Sequence, residues 1–244
     1  MTATGGGVCY RLAMLCLLAL SICSGSAEET EWVDLFDGRS LAGWTYVGTP
    51  GAATIDEGAL RLQSTGPGKQ AGHLLFVGPD PSQPRRFENF ELEVVSRGRE
   101  PSNSGVFVHT TPAVRNKWGH LADGYEVQLN NVPEEKNKTG SLYAIEQVAA
   151  SPVDESDWFV MRVVVRGDTI EVFVQPLDGA AGQGGDDQVG EPLVRYTEPP
   201  DAKSQRPKNR KGRVLRPGGG LIALQAHDPG SVWWFRSVRV RERD

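Results

Sequence analysis

Cysteine is nearly missing from this 244-residue sequence, and its three examples, Cys9, Cys16 and Cys23, all precede Glu28. A chain beginning near Glu28 has neither thiol nor disulfide, so a hydrophobic core must hold it together. Long apolar runs are scarce too. Residues 12–22, preceded by Arg11, are too few to span a bilayer comfortably and read as the apolar part of an export signal, with Gly25 at the minus-three position and cleavage expected after Ala27. This assigns 1–27 to a signal peptide and 28–244 to a single domain with no transmembrane helix, located in the periplasm or outside the cell. A lipoprotein anchored at Cys23 is disfavoured, because Ile22 stands where a small residue is normally wanted. Positive charge is in deficit: a formal net charge of -5 argues against a nucleic-acid-binding domain.

Long amphipathic helical patterns are absent as well. Apolar and β-branched clusters recur instead between Gly, Pro, Asn and Asp punctuation, which predicts an all-β sandwich of two antiparallel sheets. The expected strands cover 32–36, 54–55 with 59–63, 73–76, 90–96, 105–109, 125–129, 141–145, 158–166, 169–175, 221–227 and 232–240. Arg166-Gly167-Asp168-Thr169 joins the clearest hairpin. Surface insertions are expected near 177–190 and 200–220, which are rich in Gly and Pro. The second carries Lys203, Arg206, Lys208, Arg210, Lys211, Arg213 and Arg216. It reads as a solvated loop, with contact to anionic glycan or membrane as the alternative.

Chemistry concentrates on two strands. In 125–129, Tyr125, Val127 and Leu129 share one face, while Glu126 and Gln128, followed by Asn130, share the other. In 221–227 the same design puts Ile222, Leu224 and Ala226 opposite Gln225 and His227. If the polar faces meet, Glu126, Gln128, Gln225 and His227 form a patch the size of a sugar, since carboxamides and carboxylates bind hydroxyls and an imidazole moves protons. Asn103 and His109 flank another strand at this patch. Trp118, His120 and Asp123 precede the central strand, where an indole could stack on a sugar ring. His120, Asp123, Glu126 and His227 are the right types to hold one divalent metal ion, although their spacing is not diagnostic.

Motifs of other chemistries are lacking. There is no His-Glu-x-x-His, paired-Cys or Gly-Lys-Ser/Thr sequence, and Ser104 lacks the glycine two residues earlier that a nucleophile elbow requires. A conventional glycosidase needs two carboxyl groups about the scissile bond, and the central strand offers Glu126 alone, with Gln128 in the next same-face position.

The order of Leu35-Phe36-Asp37-Gly38 through Gly43-Trp44, Asn103-Ser104-Gly105, Gly124-Tyr125-Glu126-Val127-Gln128, Thr139-Gly140-Ser141-Leu142-Tyr143 and Leu224-Gln225-Ala226-His227 followed by Phe235-Arg236 resembles the 3-keto-disaccharide hydrolase family. The resemblance implies a concanavalin A-like jelly roll. It also implies cleavage of 3-keto-glycosides by 1,2-elimination and hydration of the resulting 3-keto-2-hydroxy-glucal. Glu126, Gln128, Tyr143, Gln225 and His227 fall on family motif positions; His109, Asn131, Phe159 and Asp228 depart from the family's usual Arg, Asp, Asn and Gly. In such a reaction the C3 ketone acidifies the C2 proton, so one base suffices. His227 or Glu126 would be that base, with Gln128 and Asn103 positioning hydroxyls. Two other readings stand beside the enzyme: a non-catalytic carbohydrate-binding module, and an adhesion domain of the cell envelope.

Overall fold

The computed structural model describes residues 1–3, 5, 30–48, 52–65, 70–177 and 190–243. Its strands in chain order are β1 (Val33–Asp34), β2 (Trp44–Gly48), β3 (Ala52–Asp56), β4 (Ala59–Gln63), β5 (Gly72–Phe76), β6 (Phe90–Gly98), β7 (Asn103–Thr110), β8 (Tyr125–Asn130), β9 (Phe159–Arg166), β10 (Thr169–Pro176), β11 (Val194–Thr197), β12 (Leu221–Ala226) and β13 (Val232–Glu242). They form two antiparallel sheets. One has eight strands in the order β11-β10-β9-β6-β13-β4-β3 with β1 beside β13, and the other has five in the order β2-β5-β12-β7-β8.

Alternation accounts for the packing. Phe90, Leu92 and Val94 of β6 and Phe159, Met161, Val163 and Val165 of β9 meet Tyr125, Val127 and Leu129 of β8 and Ile222, Leu224 and Ala226 of β12 in one buried cluster between the sheets. The expected hairpin pairs Thr169 with Arg166. On the outer face of the larger sheet the buried Glu93 binds Arg162 at 2.9 Å and Arg239 at 2.8 Å. Glu91 beside it takes Arg241 at 2.7 Å and Arg243 at 2.8 Å. Pairing makes these buried charges tolerable.

Several expectations need correction. The strand expected at 32–36 shrinks to β1, because Leu35 and Phe36 turn into the core. Residues 141–145 are turns, held by isolated bridges from Leu142 to Val127 and Glu146. Trp44–Gly48 and Val194–Thr197 are strands that the sequence reading omitted. The leader falls almost wholly outside the described residues, as does the 177–190 insertion apart from its ends.

The basic segment is solvated only in part: Lys203, Lys208 and Lys211 are exposed, whereas Arg213 is buried. It contains a short helix, α1 (Ala202–Gln205), and a 3-10 turn at Lys208–Arg210, then runs as a strap across the outward face of the five-stranded sheet. Gly212 bridges Asp123 in parallel, and Gly124 N donates to the Gly212 carbonyl at 2.9 Å. A β-carbon at Gly212 would overlap the Ala122 carbonyl oxygen and the Asp123 carboxylate, so only glycine lets the strap lie this close. Leu215 packs against the main core.

Candidate functional site

The strap and the loop before β8 wall a cavity of about 380 Å³ on the outward face of β7, β8 and β12. That is within the size range of small-molecule sites. Glu126 and Gln128 reach it from β8, Asn103 from β7, and Gln225 and His227 from β12 and its end; the loop adds Arg115, Trp118 and His120. Gly105 makes room for the carboxylate, since a β-carbon there would lie 3.1 Å from the Glu126 Cγ.

A continuous hydrogen-bonded chain crosses the floor. Gln128 Nε2 donates to Asn103 Oδ1 at 2.8 Å, and Asn103 Nδ2 donates to Asp228 Oδ2 at 3.0 Å. The other oxygen of Asp228 lies 2.9 Å from His227 Nδ1. His227 Nε2 faces His120 Nε2 at 3.3 Å, and His120 Nδ1 faces Asn116 Oδ1 at 3.2 Å. Asn116 Oδ1 also accepts from the Trp118 and His120 backbone amides, which identifies it as oxygen and assigns the His120 proton to Nδ1. His120 Nε2 is then an acceptor. In the protonated ring of His227, Nδ1–H is directed to Asp228 and Nε2–H to His120.

The electrostatics agree with this assignment. Burial opposes a charged His227, but the hydrogen bond and charge of Asp228, helped by Glu126 and Glu135, outweigh it and raise the pKa above the ordinary 6.5. Burial, followed by the His227 and Arg115 charges, lowers His120 to about 4. The His227 hydrogen bond holds the Asp228 carboxyl below its usual range despite partial burial.

Above the floor, Arg213 Nη2 binds Glu126 Oε2 at 2.9 Å, with only 5% and 8% of the two side chains exposed. The Tyr143 ring lies 5.4 Å from the Arg213 guanidinium and 5.1 Å from that of Arg210. Burial, with the neighbouring Arg213 and Arg210 charges, lowers the Arg115 pKa. Buried polar atoms of cavity-lining residues without a hydrogen-bond partner include Arg213 Nη1, Gln128 Oε1 and Gln225 Oε1.

Eight of the residues expected at a site line this cavity: Asn103, Trp118, His120, Glu126, Gln128, Tyr143, Gln225 and His227. His109 does not. A left-handed φ of 53° and a register shift opposite Leu221–Ala223 turn its ring onto Phe90, where its nitrogens meet the Glu88 carbonyl and the Arg216 amide. Asp123 is also elsewhere, accepting from Thr111 Oγ1 at 2.6 Å and facing Arg216. The four expected metal ligands therefore do not assemble, and among the described residues no three His, Cys, Asp or Glu side chains gather as an ion site. Phe159 is a core residue packed edge-on to Trp233, and Asn131 caps the Ser102 amide. Arg115 and Asn116 were missed altogether, and Arg213 was named only as one charge of the basic run. The sequence signal for Arg213 was faint: Val214 and Leu215 are apolar residues inside a run of positive charge.

Known proteins share this architecture. A candidate glycosyl hydrolase from Parabacteroides distasonis superposes with a TM-score of 0.65 at 18% identity, covering 87% of this chain and 94% of that one. The exoplasmic domain of VIP36, in its form bound to Ca2+ and Man3GlcNAc, gives 0.55 at 10% identity, covering 86% and 88%. At such identities the likeness is one of fold, a lectin-type jelly roll. By sequence, the chain is 30% identical over 83 residues to a curated protein of Bacteroides thetaiotaomicron named 3-keto-disaccharide hydrolase, a match covering 31% of this chain and 26% of that protein. Residues 31–241 match one family model over both sheets and the site between strap and strands, and the chain belongs to the family of 3-keto-alpha-glucoside-1,2-lyase-like domains.

Proposed function

We propose that the protein cleaves 3-keto-glycosides by 1,2-elimination and hydrates the 3-keto-2-hydroxy-glucal so formed. One observation carries the reading: every carboxylate lining the cavity is already engaged as an acceptor, leaving an imidazole to move protons. Glu126 is paired with Arg213, Asp228 with His227, and Glu135 accepts from both the backbone and side-chain amides of Asn137. A conventional glycosidase needs one carboxyl group kept protonated as the acid. The hydrogen bonds of Asp228 push its pKa the opposite way, and those from Asn137 do the same for Glu135 against its burial.

In the proposed sequence Asp228 fixes the His227 tautomer, so that the neutral ring presents Nε2 as base. Nε2 takes the proton from C2, whose acidity comes from the ketone, and the electron pair moves into the C2–C3 bond and onto the ketone oxygen. The enolate then collapses to a C1–C2 double bond as the C1–O bond breaks, and the departing oxygen is protonated from the imidazolium. Hydration runs the same steps backwards with water at C1. The unpaired Gln128 Oε1 and Gln225 Oε1 accept from sugar hydroxyls. A divalent ion would find two nitrogens, at His120 and His227, while Glu126 Oε2 is already held by Arg213; no step here uses a metal.

The fold neighbours and the exposed Trp118 at the cavity rim favour a second reading, a module that binds glycan without turnover. Incubation with 3-keto-glucosides, followed by NMR for released aglycone and the glucal, separates the two. Release supports the enzyme; tight binding of intact glycan without release supports the module. The export signal would place this chemistry in the periplasm or beyond, and N-terminal sequencing of protein expressed with its leader tests for cleavage after Ala27.

A further inference from the structure

We infer that Arg213 is a catalytic residue of this site, binding the ketone oxygen at C3 through its unpaired Nη1 and holding the negative charge when the C2 proton leaves. The inference rests on the proposed function and adds to it the group that receives the enolate.

Geometry gives each end of the guanidinium a separate task. Nη2 is fixed to Glu126, and the group lies beside the Tyr143 ring, so its orientation is set before any ligand arrives. Nη1 is buried in a residue lining the cavity and has no acceptor. A buried donor left without a partner is unfavourable, and a ligand oxygen arriving there relieves it. Two further buried atoms without a partner at the cavity, Gln128 Oε1 and Gln225 Oε1, are acceptors. Two acceptors and one cationic donor complement two hydroxyls and one carbonyl, the pattern of an oxidised sugar ring. A buried, preset cation facing the developing oxyanion lowers the barrier to its formation.

The strap explains how an arginine comes to be there. Gly212 permits backbone contact with Ala122 and Asp123, and the next residue is Arg213. The contact therefore delivers the side chain onto the sheet face. In electron terms, the C2–H bond breaks toward His227 Nε2, its pair becomes the C2–C3 π bond, and the C3–O π pair moves onto the oxygen held by Arg213. When that pair returns, the C1–O bond breaks and the aglycone leaves.

The test uses a 3-keto-1,5-anhydrohexitol, which has no leaving group, in heavy water. Exchange at C2, followed by NMR, reports enolate formation alone, and aglycone release from a 3-keto-glucoside reports the whole reaction. Arg213→Lys is expected to slow both by about 10²–10³-fold, the range for loss of one oxyanion donor, with a smaller change in KM. Because Arg213→Ala strands Glu126, the double variant Glu126→Gln/Arg213→Ala is made beside it. Added guanidinium should restore part of the exchange in the double variant. Wild-type protein active in both assays with Arg213→Lys within about threefold of it would overturn the assignment, since one lost oxyanion donor costs far more. Wild-type protein inactive in both overturns the proposed function and Arg213 with it.

Discussion

Arg213 and Glu126 are 87 positions apart in the chain, yet they meet at 2.9 Å on the outward face of a sheet, both buried. A carboxylate that the sequence leaves looking like a free base is thus already neutralised by a cation from the strap. Breaking such a pair from one side leaves a buried charge uncompensated. Glu126→Gln is expected to lower stability by about 3–5 kcal/mol, measured by denaturant unfolding, and to regain most of it when combined with Arg213→Gln. A single variant as stable as the wild type would contradict the buried pairing.

The strap should be sensitive at one point. Gly212→Ala places a methyl group against the Ala122 carbonyl and the Asp123 carboxylate. Turnover is expected to fall toward the level of the Arg213 variants, about 10²-fold or more. Far-ultraviolet circular dichroism should keep its β signature, because the strap lies outside both sheets. An unchanged rate would mean that Arg213 reaches its place without the Gly212 contact.

The acidic limb of the rate profile should report His227. Its pKa is raised, and the base is the neutral ring, so kcat/KM is expected to climb with pH through a value above 6.5. In Asp228→Asn the upward push is lost while burial remains, and the limb should move to lower pH with a lower plateau. A limb that stays in place would separate His227 from the proton transfer.

His73 makes a prediction about stability instead. Burial, then the charges of His120 and His227, depress its pKa to about 3, so the folded protein keeps this ring neutral. A histidine depressed on folding gives stability that is fully present above the unfolded value near 6.5 and lost as pH falls toward the folded value. Its share of the loss is about 1.4 kcal/mol per pH unit below 6.5. Between pH 6.5 and 4.5, His73→Gln should show a flatter fall in unfolding free energy than the wild type.

Trp118 stands at the rim with 44% of its surface exposed, so it contributes little to the core. Trp118→Ala should leave stability within about 0.5 kcal/mol. If its ring carries the leaving sugar, KM should rise about tenfold, the loss of one interfacial aromatic anchor, while kcat changes little. Equal KM values for disaccharide and small aryl substrates in both proteins would remove it from the binding surface.

Alternation alone made much of this legible. With a side-chain period of two, Tyr125, Val127 and Leu129 had to face the core if Glu126 and Gln128 faced out, and the same held for β12; the polar atoms of both strands do meet. The hairpin at 166–169 was equally readable, because turn residues and flanking β-branched runs act locally. What failed depended on contacts distant in the chain. His109 follows the alternation in sequence, but a left-handed residue and a shifted register, neither visible in residue types, turn it away. A run of arginine and lysine looks solvated until a docking surface is known, and that surface is built by residues about ninety positions earlier, Ala122 to Glu126. Local periodicity therefore determined the two faces of each strand and most of the cavity floor, since steric rules act between neighbours. Only the closed tertiary structure decided that Arg213 would sit on Glu126 and that Asn103 would bridge Gln128 to Asp228, because ion pairing and desolvation depend on which distant groups share a buried space.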